Sequence, residues 1–197
     1  MEAKSPSSFF TSRRERRLWF LTLAAVVGIY ATLGLANTLA EVLRDEGLIE
    51  TAGFFALFLI VASVLILGLK TRPGVATIGI SAGIVAVYVL MFFRMTISPA
   101  ERTHLMEYTV VALLIFEALT ERSDNGRRVR FLPLIAIGGT VLLGAIDEGI
   151  QALIPSRVFD PIDILFNTLA GVMTVLACLV LRWARSFGGR LFSNSGD

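Results

Sequence analysis

Residues 131–152, FLPLIAIGGTVLLGAIDEGIQA, decide the fold. The run is uncharged from Phe131 to Ile146, then closes on two adjacent carboxylates, Asp147 and Glu148, followed by Gln151. A helix needs about 17–25 largely apolar residues to cross a bilayer, and this stretch has that length. A charge in hydrocarbon costs roughly 2.5–3.5 kcal/mol unless it is paired, hydrated or at the interface. Carboxylates at the end of such a run therefore mark the place to look for function. Gly149 and Pro155 imply that the helix stops there.

Five further runs approach the same length, at about 18–40, 51–69, 75–93, 104–120 and 162–181. The composition agrees: 55% of the 197 residues are hydrophobic and 17% charged, against about 25% charged in a soluble domain. Mean hydropathy is +0.73. The sequence thus predicts an all-α, polytopic transmembrane bundle of about six spans. Residues 1–17 form a basic tail, and 18–93 a three-span amino-terminal region. Residues 94–183 form a three-span core with the polar groups, and 184–197 a second tail. The uncharged run after the basic tail is too long for the core of a cleavable signal, so the first span is expected to stay. The formal charge is only +2, with basic residues scattered between apolar runs, which gives a nucleic-acid partner no support. The single cysteine, Cys178, lies in the last run and reads as a small hydrophobe.

Orientation follows from the cations. Fourteen of the eighteen Lys and Arg residues fall in the two tails and in the second and fourth connections. By the positive-inside rule, both termini are expected in the cytoplasm. The Arg94–Arg102 loop and the Asp147–Asp163 region then face outward together, at membrane level. Asp124-Asn125-Gly126 reads as a turn, and Glu117 and Glu121 as an i,i+4 pair at the inner interface with Arg122 at hand. Gly28, Gly34, Gly79 and Gly83 read as points of close helix approach.

The polar residues of the last three spans allow two readings each. His104, Glu107 and Tyr108 share one helix face. The histidine is the one in the chain, and it reads either as a proton carrier or ligand, or as an interface residue bonded to Glu107 with Tyr108 in the aromatic belt. Asp147 and Glu148 suit acid/base chemistry if their surroundings split their proton affinities. They equally suit ion pairing with Arg94, Arg102 or Arg157, although neighbours in a helix point about 100° apart. Gln151 lies within reach of either carboxylate. Asp160-Pro161-Ile162-Asp163 reads as an N-cap followed by Pro at N1. Asn167, one turn beyond Asp163, should meet another helix, with Asp147, Glu148 or Gln151 as partners. Without an H-E-x-x-H or paired Cys/His spacing no metal is assigned, and without a glycine-rich phosphate loop no nucleotide or other cofactor is.

At these residues the chain resembles the VanZ-like family of small bacterial membrane proteins. The resemblance rests on His104-Leu105-Met106-Glu107-Tyr108, on Asp147-Glu148-Gly149-Ile150-Gln151, and on Arg157, Asp160, Asp163, Asn167 and Gly171 in that order. It implies a multi-pass protein of the bacterial inner (plasma) membrane. The name-giving member lowers sensitivity to the glycopeptide teicoplanin, a role many members lack.

The leading expectation is an outward polar site that binds or modifies an anionic lipid-linked or cell-wall intermediate among membrane lipids. His104, Glu107, Asp147 and Glu148 are its candidate catalytic groups, and Arg94, Arg102, Gln151 and Arg157 its candidate substrate or anion holders. Tyr108, Asp160, Asp163 and Asn167 support them. A transporter or channel, or a scaffold whose ionic cluster clips the outer loops together, are the alternatives.

Overall fold

The computed structural model describes residues 9–48, 75–94, 99–155 and 159–193. They form five helices: α1 (Arg13–Asp45), α2 (Val75–Arg94), α3 (Pro99–Asp124), α4 (Leu132–Gln151) and α5 (Pro161–Ser193). The expected span at 51–69 lies outside the described residues. Three helices contain segments long and apolar enough to cross a membrane, Arg13–Leu33, Leu132–Gln151 and Pro161–Ala184. The chain is therefore an all-α protein with the character of a polytopic membrane bundle.

The helices outlast the apolar runs that announce them. α1 begins on the basic tail and α5 continues past Leu181, because charged side chains at a helix end can reach the interface while the backbone keeps its own hydrogen bonds. Local chemistry sets several boundaries. Asp160 caps α5 by accepting the Ile162 N–H at 2.8 Å, as its place before Pro161 predicts. α3 ends in the expected turn, where Gly126 takes φ +88° and the Asn125 amide donates to the Glu121 carbonyl at 2.7 Å. α4 starts from Phe131 in a left-handed conformation, φ 56°.

α3 is the helix the others surround. It packs against α1, α4 and α5, and α2 packs on α5. Twelve of the sixteen residues from Leu105 to Thr120 are buried, as the central place of this helix among its neighbours requires. Val111, Ile115, Phe116 and Leu119 join Ile29, Ala136 and Val175 in the main core, while Leu105 and Tyr108 join Phe166 and Ala170 in a smaller one. Leu23, Val27, Leu134, Leu142, Leu165 and Leu176 face outward, where lipid would cover them.

Lipid offers no hydrophobic drive between helices, so close packing and interhelical hydrogen bonds must hold them. Along α4 and α5 the contact runs through small residues. A Cβ on Gly144 would stand 2.8 Å from Asn167 Cβ, and one on Gly171 would stand 3.3 Å from Thr140 Cγ2. Each helix thus receives the other's larger side chain on a bare backbone. The glycines expected to pack in α1 and α2 show no such approach where their surroundings are described. Gly28, Gly79 and Gly83 have nothing within 4 Å among the described residues.

The charged residues separate by end. At one end Arg14 pairs with Glu117 at 2.8 Å and Glu121 at 2.9 Å, Arg122 pairs with Glu15 at 3.1 Å, and Arg182 approaches Asp124 at 3.8 Å. The inner-interface reading of Glu117 and Glu121 needs one correction. Their cation comes from the amino-terminal segment, and Arg122 reaches back to Glu15 instead. At the other end α4 closes and α5 begins, with the Asp147–Asp163 region between them.

Candidate functional site

The site is built where α4 ends, and burial defines it. Asp147, Glu148 and Asn167 are each 0% exposed and Gln151 is 2% exposed. Adjacent carboxylates can both be buried because α4 is covered on two sides, by α1 and α3 on one and by α5 on the other. The 100° between consecutive side chains then sends each to a different neighbour.

Glu148 faces α5. Its Oε1 accepts from the Gln151 amide at 2.9 Å and its Oε2 from the Asp160 N–H at 3.2 Å. Gln151, within reach of either carboxylate by spacing, is therefore committed to Glu148. The two acceptor bonds tie the end of α4 to the start of α5, the same point at which Asp160 caps that helix. Asp147, Asp160 and Asp163 are near enough for their charges to act on Glu148.

Asp147 faces the other way, toward two tyrosines. The hydroxyls of Tyr30 from α1 and Tyr108 from α3 both donate to the Leu143 carbonyl, at 2.8 and 3.2 Å, one turn below Asp147. The Asp147 carboxyl lies beside both hydroxyls. Tyr30, in the first span, lies outside the 94–183 region to which the sequence assigned the polar groups. A signal was present: a tyrosine amid an apolar run has a hydroxyl that must find a partner in the bundle. The same signal holds for Tyr88, whose hydroxyl lies 3.0 Å from that of Thr174.

Asn167 departs from expectation. It faces another helix, but meets the backbone at Gly144 rather than a side-chain partner. Both atoms of its amide are buried and without a hydrogen-bond partner among the described residues, and Asp147, Glu148 and Gln151 are engaged elsewhere. An unpartnered buried polar group costs about 1–3 kcal/mol.

Glu107 is half-buried in the turn of α3 that carries Tyr108. Among the described residues no group of three or more His, Cys, Asp and Glu side chains is placed to hold a metal ion. Arg157 and the side chains of Arg94, Arg102 and His104 lie outside the described residues. No family model, curated protein or solved structure matches this chain.

Chemically, the arrangement is a pair of carboxyls buried in the bundle, with one acid bonded by amides and the other set against phenols. That asymmetry separates their surroundings, which is what acid/base work by a carboxylate pair requires. The structure shows no continuous polar route to the far end among the described residues. The buried threonines on the way, Thr109, Thr140 and Thr174, donate to carbonyls of their own helices at 2.7, 2.9 and 2.7 Å.

Proposed function

We propose that the chain is a multi-pass envelope protein of the VanZ-like kind in the bacterial plasma membrane, with both termini cytoplasmic. Its outward polar end binds or modifies an anionic lipid-linked or cell-wall intermediate. One observation carries the reading: two adjacent carboxyl groups, fully buried at the end of an apolar helix, share that end with a buried carboxamide. Hydrocarbon penalises such groups strongly, so bundles keep them chiefly where they act on something. The gathering of arginines at the opposite end, around Arg14, Arg122 and Arg182, supports the orientation.

In this reading Arg94, Arg102 and Arg157 hold the anion, since guanidinium groups match phosphate oxygens in pairs. Asp147 or Glu148, with His104, exchanges protons with the ligand, and Tyr30 and Tyr108 orient Asp147. The test is binding of a polyprenyl diphosphate to the purified protein in lipid nanodiscs. Replacing Arg94, Arg102 and Arg157 together by alanine should weaken binding by at least about tenfold, as lost charge-assisted bonds do. Unchanged affinity in that variant overturns the anionic-ligand reading.

A further inference from the structure

The carboxamide of Asn167 has no task in the bundle as it stands. It is fully buried, neither of its polar atoms has a partner among the described residues, and it presses on the backbone of Gly144. It lies in the α4–α5 seam about 9 Å along the helix from Pro161, one turn below Asp163 and the acceptor bonds of Glu148. The seam around it is made of small contacts, Gly144 against Asn167 and Thr140 against Gly171. Asn167 makes no hydrogen bond across this seam and Thr140 donates to the Ala136 carbonyl of its own helix, so parting the helices here costs close packing but no side-chain hydrogen bond of either residue.

We propose that Asn167 is a ligand-binding residue concealed by this seam, whose carboxamide grips a hydroxyl- or amide-bearing headgroup when α4 and α5 part. The inference rests on the proposed function and deepens it by naming a second feature of the ligand. An amide offers donors and an acceptor together, which complements a sugar or peptide group and has no use for an acyl chain. Opening the seam gives both unpartnered atoms the bonds they lack, so the ligand favours the open arrangement by the interactions it alone supplies.

Two probes separate the inference from the reading beneath it: a polyprenyl diphosphate alone, and the same lipid carrying an N-acetylated disaccharide. Wild-type protein in nanodiscs should bind the sugar-bearing lipid about tenfold more tightly, and Asn167→Ala should bind both equally, at the sugar-free level. In a Cys178→Ser background, Thr140→Cys with Gly171→Cys supplies a lock. A Gly171 Cβ would lie 3.4 Å from Thr140 Cβ, close to the separation a disulfide spans. Oxidation should remove the preference for sugar and reduction restore it.

If wild type binds both lipids alike, or if Asn167→Ala or the oxidised pair keeps the preference, the inference is wrong while the anionic-lipid reading stands. If wild type binds neither lipid, both fall together.

Discussion

Glu148 shows what a single residue does at this site. Its two oxygens accept from Gln151 and from the Asp160 backbone. Glu148→Ala strips partners from two donors and should lower stability by about 1–3 kcal/mol, read as a drop in thermal midpoint in detergent or nanodiscs. Asp147 is expected to behave differently. Asp147→Asn keeps an oxygen beside Tyr30 and Tyr108 and removes a group whose charge is costly to bury. Its thermal midpoint should stay level or rise while ligand binding or turnover is lost, the mark of a residue held for function. A midpoint several degrees lower with function intact would favour the scaffold alternative. Glycines give a paired comparison. Gly144→Ala drives a methyl into Asn167 and should cost about 1–3 kcal/mol, whereas Gly79→Ala, with nothing within 4 Å among the described residues, should be neutral or slightly stabilising.

At the scale of elements, the basic end is a clasp between the amino-terminal segment and the end of α3. Ser12 donates to Glu121 at 2.8 Å, Arg122 and Arg127 donate to the Phe9 carbonyl at 2.9 and 3.1 Å, and Thr11 donates to Glu15 at 2.6 and 2.7 Å from its backbone and side chain. The Ser12 hydrogen bond, with help from Asn125 and Arg14, holds the Glu121 carboxyl below the ordinary range despite its partial burial. A carboxyl whose folded pKa is depressed stabilises fully above the unfolded value, near pH 4.3. That contribution disappears as pH falls through the folded value. Glu121→Gln should therefore melt below wild type at neutral pH, with the gap closing as the solution is taken below about pH 4. A gap that stays constant across the titration would mean that the charge of Glu121 plays no part in the clasp.

For the whole molecule the decisive quantity is orientation. Accessibility supplies the probe positions, because Leu153 is 84% exposed beyond the end of α4 and Ser123 lies at the arginine-rich end. In a Cys178→Ser background, Leu153→Cys should react with an impermeant thiol reagent added outside intact cells, and Ser123→Cys should not. The reverse pattern would put the carboxyl cluster in the cytoplasm and remove the outward site.

The sequence by itself determined the elements and several of their ends. Uncharged runs of about 20 residues have only helix available to them in a membrane, since every backbone group must be satisfied within the segment. Asp160-Pro161 and Asp124-Asn125-Gly126 are local devices, and the chain used them as their chemistry predicts. Residues 146–151 were marked because the cost of charge in hydrocarbon can be read without any fold. Only the tertiary structure decided the partners. It sent Asp147 to Tyr30 and Tyr108 and Glu148 to Gln151 and Asp160. It set Gly144 and Gly171 in the packed seam while Gly28 and Gly79 meet nothing among the described residues, and it left Asn167 without the partner its spacing suggested. Spacing along one helix gives the angle between side chains, whereas the neighbour at each angle depends on how the helices are arranged around α3.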